Sequence, residues 1–280
     1  MPVSFNFFKN EVGEWIESNI PTHKRVLDVG PGVGTYSDLI RHKGYQIDAV
    51  EIFRPYIEKY RLIDKYDNVY CDDILRFDIS DYDFIILGDV LEHIPADKAT
   101  ELIDKIIKLG KECLVAVPYE MEQGEHEGNI HETHYQADLT EEIMKERYPK
   151  LQPKFINEHY GYYVYTKEKM DKAYVLYANS AYYDVVCMAV KSINEASNIP
   201  VIVYMVNSDW KVPGAQTVKW NLHGNYIKKS NYIDRNDKRV FEFLAQRPAI
   251  IADALDNHAH TVAYIDSDTI VTRYIDNIFS

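Results

Sequence analysis

Gly30, Gly32 and Gly34 fall in the run Val26-Leu-Asp-Val-Gly-Pro-Gly-Val-Gly34, where an apolar stretch gives way to a helical pattern. Residues without a Cβ let a nucleotide lie against the backbone while the turn takes dihedrals that side chains disfavour. The spacing is GxGxG, whereas the dinucleotide fingerprint puts its third glycine where Thr35 stands, so a nicotinamide cofactor is the weaker reading. Glu51 closes the next apolar run about twenty residues past the first glycine, where a carboxylate can accept hydrogen bonds from both ribose hydroxyls. Asp73, with Asp72 beside it, can accept from an adenine amino group or cap a helix. Gly88 and Asp89 end a fourth apolar run, in GDVLEHI, with Glu92 and His93 just beyond.

Three more histidines, His126, His131 and His134, occupy the polar stretch YEMEQGEHEGNIHETHY from Tyr119 to Tyr135. An imidazole titrates near neutrality, so His131, His134 and His93 are the candidates for a catalytic base. With Glu125, Glu127 or Glu132 the loop histidines also make a possible metal-ligand set. Far along the chain, Asp266-Ser267-Asp268 follows an apolar run, and two such carboxylates can hold Mn2+ or Mg2+ against a diphosphate.

Positioning these residues requires a regular scaffold, and the pattern supplies one. RVLDVG, TYSDLIRHKG, YQIDAVE, a helix around Tyr56 to Asp64, NVYCDD, DFIILGDV, a helix from about Asp97 to Leu109 and ECLVAVP alternate strand and helix. Such alternation predicts right-handed βαβ units around a parallel sheet. Runs such as FIIL and CLVAV, apolar at successive positions, suit strands covered on both faces. After Pro118 the periodicity stops, and the histidine-rich stretch reads as a functional loop or lid. A helix near Leu139 to Glu146 follows, and then KFINEHYG and YYVYTKE form an antiparallel hairpin at the sheet edge.

A second start comes at Lys172 with KAYVLYANS, after the charged segment TKEKMDK. It continues with a helix from Tyr183 to Ala196, the strand PVIVYMVN, a loop carrying Trp210, Pro213 and Gly214, a helix from about Lys238 to Asn257, and TVAYIDSD. The fold class is α/β in both parts, with domains at 1–168 and 172–280.

The D-x-G-x-G-x-G run from Asp28 to Gly34, Glu51, Asp72-Asp73 and the D-x-L-E-H-I from Asp89 together resemble the class I S-adenosylmethionine-dependent methyltransferases of small-molecule type, over about the first 168 residues. The resemblance implies a Rossmann-like seven-stranded sheet and S-adenosylmethionine held by Asp28, Gly30, Gly32, Gly34, Glu51, Asp72, Asp73, Gly88 and Asp89. It also implies direct methyl transfer, with a base needed only for a hydroxyl acceptor. In the second part, Y-I-D-S-D-T-I-V followed by I-D-N-I-F resembles the nucleotide-sugar site of GT-A glycosyltransferases of the glycogenin-like family 8 group. By that resemblance Ala178, Asn179 and Tyr182 lie near the nucleobase, and Asp266 and Asp268 bind the metal. The acceptor-side elements and C-terminal histidine ligand of that family have no counterpart in the twelve residues after Asp268. The expectation is therefore a partial GT-A domain with weak cation binding and no sugar transfer, and exposed apolar faces that favour self-association.

A net charge of −13 and the lack of clustered Lys and Arg argue against nucleic acid as partner. With 46% hydrophobic and 27% charged residues and no apolar run of membrane length, no span is expected, and a start without a signal-peptide pattern makes cytoplasmic the default. Cys71, Cys113 and Cys187 are too widely spaced for a disulfide framework or zinc site and read as core or near-core thiols. Twenty-three tyrosines suit sugar or nucleoside contacts as well as packing. Two functional readings follow. One is a methyltransferase fused to a nucleotide-sugar-dependent transferase in glycan assembly. The other is a methyltransferase carrying an inactive docking module.

Overall fold

The structure, a computed structural model, describes residues 5–222 and 243–279. The chain divides into two compact units, Met1–Thr166 and Lys167–Ser280.

The first unit is built on β1 (Arg25–Val29), β2 (Gln46–Val50), β3 (Val69–Tyr70), β4 (Phe84–Gly88), β5 (Glu112–Pro118), β6 (Gln152–Ile156) and β7 (Tyr160–Tyr165). They form one sheet of order β3-β2-β1-β4-β5-β7-β6. The first five run parallel, and β7 runs antiparallel to both β5 and β6. This is the expected seven-stranded mixed sheet with its terminal hairpin.

Alternate strand residues face opposite ways, and both sides are apolar because helices cover both. Leu27, Ile85, Leu87 and Val115 pack with Ala99, Leu102, Ile103 and Ile106 of α5 (Ala96–Lys108), whose spacing of three and four puts them on one helical face. Val26, Phe84, Ile86 and Leu114 pack on the other side with Val12, Trp15 and Ile16 of α1 (Lys9–Asn19) and with Tyr36 and Ile40 of α2 (Thr35–Ile40). α6 (Glu141–Arg147) starts on a Thr140 side-chain cap that accepts from Ile143 N.

The expected helix from Tyr56 to Asp64 is two short ones, α3 (Arg54–Lys59) and α4 (Leu62–Lys65). Arg61 between them takes a left-handed φ of 53°, a break that no glycine or proline marks in the sequence. Cys71 is exposed rather than near-core, because β3 ends at Tyr70 and the chain leaves the sheet there. Cys113 is buried, and Cys187 is intermediate.

The second unit holds a four-stranded, all-parallel sheet of β8 (Met170–Asn179), β9 (Val201–Val206), β10 (Gln216–Trp220) and β11 (Ala259–Tyr264), ordered β10-β9-β8-β11. Between the strands lie α7 (Tyr183–Ala196) and α8 (Arg247–Asn257). β8 begins inside the charged segment expected to be a linker, because Met170 pairs with Ala259 of β11. β10 was expected to be loop. Its Thr217 and Val218 are half-buried and its backbone pairs with β9, although the strand is only QTVKW. Of the helix expected from about Lys238 to Asn257, Arg247–Asn257 forms α8, Phe243 and Leu244 are also helical with a turn at 245–246 between them and α8, and positions 238–242 lie outside the described residues. Among the described residues no helix is long and apolar enough to cross a membrane.

Candidate active site

Strand order reverses between β1 and β4 in the first unit, and an open α/β sheet offers its ligand crevice at the carboxyl ends of the strands on either side of such a point. A cavity lies there. The turn from β1 to α2 supplies Gly30, Gly32, Thr35 and Tyr36, the end of β2 supplies Glu51, and the segment after β3 supplies Asp72, Asp73 and Ile74. Gly88 and Asp89 at the end of β4, with His93, Asn129, His131 and Glu132, close the other side.

The three glycines have φ of +58°, +53° and +89°, all in the left-handed region that other residues enter only with strain. Gly30 N donates to Val50 O (2.9 Å), which ties the turn to the next strand. Gly34 caps α2 and does not line the cavity. Asp28 also lies behind the wall. It is 1% exposed and accepts a hydrogen bond from Tyr66 Oη (2.6 Å). Burial pushes its carboxyl up to about 7, against the pull of Tyr66 and of the Lys9 charge.

Glu51 is 4% exposed, and one of its oxygens accepts from Phe53 N (2.7 Å). Burial raises its pKa to about 7 against that hydrogen bond. Asp72 accepts from Asp73 N (2.7 Å), and Asp73 accepts from Leu75 N (2.9 Å) and so caps the turn after β3 while lining the cavity. The helix cap weighed for Asp73 is a turn cap instead, because no helix follows before β4.

Asp89 sits at a positive φ of 55° and accepts from Tyr160 Oη (2.6 Å) on β7. Gly88 is next to the Tyr36 ring, where any Cβ would collide. Lys9, at the start of α1, is half-buried with its ammonium 5.0 Å from the Tyr36 ring centroid and 5.5 Å from that of Tyr162. Burial lowers its pKa, while Asp89 and Asp28 oppose that shift. Sequence reasoning missed Lys9, Tyr36, Tyr160 and Tyr162. The signal was faint: one lysine at a helix start and alternate tyrosines on an edge hairpin.

The histidines separate. His131 is exposed and lines the cavity, with its backbone N held by Asn129 Oδ1 (3.0 Å). His93 and His134 meet edge to face with ring centroids 4.7 Å apart. Burial pushes His93 down to about 4, and the neighbouring His134 adds to the shift. Burial also lowers His134. His126 is half-buried and does not line the cavity, although its backbone bridges to Asn129, which does. Glu92 is 1% exposed and held well above the usual carboxylate range by burial and by the Asp89 charge.

In the second unit, Ala178 and Asn179 end β8, and Asp266 and Asp268 follow its parallel neighbour β11, so the topology brings the two motifs to one sheet edge. Ala178 packs its side chain into the core with Val186 and Ala189, and Asn179 Oδ1 accepts from Ala181 N (2.9 Å). Tyr182 is 37% exposed. Asp266 Oδ1 accepts from Arg247 (3.0 Å) and from Tyr264 Oη (2.8 Å), while Asp268 is exposed.

The fold and glycine turn define a Rossmann-like methyltransferase domain. Residues 8–160 match the model of a methyltransferase domain family, more than half of the 280 residues, and the chain belongs to that family. No curated protein matches it. Similar solved structures include an S-adenosylmethionine-dependent methyltransferase from Clostridium acetobutylicum (13% identity, 58% of this chain, 91% of that one, TM-score 0.44). Others are the 1,6-didemethyltoxoflavin-N1-methyltransferase of Burkholderia thailandensis (15%, 56% and 77%, 0.42) and the magnesium protoporphyrin IX methyltransferase of Synechocystis (15%, 59% and 86%, 0.41).

The raised Glu51 pKa makes a testable prediction. The folded form binds the proton more tightly than the unfolded chain does, so this carboxylate's contribution to stability falls as pH rises from about 4.5 through 7. Glu51→Gln removes the ionisation. Its stability relative to wild type should therefore grow between pH 5 and 8, by on the order of 2–3 kcal/mol, measured as unfolding midpoints across pH. A gap that stays constant with pH would refute the buried-carboxylate account.

Proposed function

We propose that the first unit transfers the methyl group of S-adenosylmethionine to a small-molecule, sugar or glycan acceptor. The observation that carries this reading is the convergence of the left-handed glycine turn, Glu51, Asp73 and Asp89 on one cavity at the strand switch point. The turn admits the nucleoside against the backbone, Glu51 takes the ribose hydroxyls, and Asp73 takes the adenine amine. Asp89 and Gly88 lie toward the methionine part.

The donor carries a sulfonium and an ammonium, and an acidic, largely buried wall complements both. Transfer is an in-line displacement. The acceptor's lone pair forms the new bond to the methyl carbon as the carbon–sulfur bond breaks, and the pair stays on sulfur as S-adenosylhomocysteine leaves. The chain's task is orientation and exclusion of water. His131 at the cavity wall supplies an imidazole for a hydroxyl acceptor's proton.

S-adenosylmethionine binding measured by calorimetry should vanish in Gly32→Leu, which forces a side chain into a left-handed, ligand-facing position. It should weaken roughly tenfold or more in Glu51→Ala, which loses charge-assisted hydrogen bonds. Unchanged affinity in both variants, each still folded by circular dichroism, would refute the site.

The reading extends to the second unit as the nucleotide-sugar-binding part of a GT-A-type transferase acting in glycan biosynthesis. What supports it is the shared sheet edge of Ala178-Asn179 and Asp266-Ser267-Asp268. A docking module without transfer activity is the second reading. The Arg247 and Tyr264 bonds to Asp266 favour it, because a cation must compete for that carboxylate. If the transferase reading holds, Mn2+ strengthens UDP binding to the full chain, and Asp268→Ala abolishes the gain. UDP binding that ignores both the metal and the substitution leaves the docking reading.

A further inference from the structure

The 3-10 turn Leu91–His93 follows β4, and the segment around His134 returns to it from the far end of the long loop after β5. The two are clamped by backbone. Tyr135 N and Gln136 N both donate to Glu92 O (2.8 and 3.1 Å), and Gln136 Nε2 donates to Leu91 O and Ile94 O (2.8 and 2.9 Å). The clamp sets His134 against His93 and Glu92, so that one potential ligand atom from each of the three lies within 4.8 Å of the others.

Both imidazoles are oriented through the nitrogen that does not face a ligand. His93 Nδ1 lies 3.3 Å from Thr133 O, and His134 Nδ1 lies 2.7 Å from Met121 O. A carbonyl only accepts, so each Nδ1 carries the hydrogen and each Nε2 keeps its lone pair. Fixing the ring by an outer hydrogen bond to a backbone carbonyl is how metal-bound histidines are held. His93 Nε2 stands 4.0 Å from Glu92 Oε1. Among the described residues Glu92 Oε2 is buried with no hydrogen-bond partner, which is costly for a carboxylate unless something compensates it.

We propose that Glu92, His93 and His134 form a site for a borderline divalent cation such as Zn2+ at the wall of the cavity that His93 lines. Two imidazoles and one carboxylate suit Zn2+ better than Mg2+ or Ca2+, which prefer oxygen throughout. Bonds of about 2.0–2.2 Å to one ion would draw these atoms closer together than the observed spacing. Three protein ligands leave a position for water or for an acceptor oxygen, the pattern of reactive rather than structural zinc.

The use of that position rests on the methyltransferase reading, although the metal site itself does not. A hydroxyl acceptor bound to the cation gives its proton to water. Its oxygen then forms the bond to the methyl carbon as the carbon–sulfur bond breaks and the pair remains on sulfur.

The test uses the full chain, stripped with chelator and titrated with Zn2+ in the absence of any methyl donor. The expected result is one Zn2+ per chain, with affinity lowered roughly tenfold or more in His134→Ala and in His93→Gln but unchanged in Asp266→Ala. S-adenosylmethionine affinity, measured separately on metal-free protein, should be the same in His134→Ala, whose side chain does not line the donor cavity, as in wild type, so failure of the metal site and failure of the donor site are told apart. X-ray absorption at the zinc edge on wild type, which needs no variant to fold, should count two imidazoles in the first shell. No stoichiometric binding, a first shell without imidazole, or loss of binding in the Asp266 variant would overturn the proposal.

Discussion

The passage from β1 into α2 is the constraint on which the first unit depends. Within five residues the chain must leave a buried strand and start a helix, and Gly30, Gly32 and Gly34 all do so at left-handed φ. Because the turn lies where strand order reverses, what it leaves open is a crevice and not a packed seam. The backbone bond from Gly30 to Val50 links the turn to β2, and Glu51 follows directly, so one local geometry sets both the glycine wall and the first carboxylate.

Carboxylates at such an edge are expensive. Asp28 and Glu51 are nearly inaccessible and are held near neutral pH by burial, and Glu92 is pushed up in the same way. A fold keeps ionisable groups in that state where something positive or hydrogen-donating compensates them in the working complex. Tyr66, Tyr160 and Lys9 supply part of that compensation from the protein itself. In the proposed reading, the donor's cationic part would supply more at Asp89, its ribose hydroxyls at Glu51, and a divalent ion at Glu92. The structural stability given up at these positions is the counterpart of ligand affinity.

Much of the scaffold was legible because burial on both faces leaves a plain trace: FIILG and CLVAVP are apolar at every step and became β4 and β5. The edge hairpin was legible from two β-rich runs a few residues apart. Three kinds of feature were not. The break at Arg61 depends on a dihedral that carries no glycine or proline marker. β10 is held by pairing with β9, and its short QTVKW pattern is indistinguishable from loop. The meeting of His93 with His134, and of Lys9 and Tyr160 with Asp89, is set by tertiary contacts between distant segments, which no local spacing encodes. The residues of the glycine turn, by contrast, were readable one by one, because dihedral demands act locally.

The central claim is that this crevice holds the nucleoside of S-adenosylmethionine, and a crystal structure with S-adenosylhomocysteine bound tests it most directly. The account predicts both ribose hydroxyls within about 2.5–2.9 Å of the Glu51 carboxylate, the ring system beside Asp73 and Ile74, and the sulfur toward Gly88 and Asp89. A ligand seated elsewhere, or one whose ribose leaves Glu51 without a contact, would contradict it.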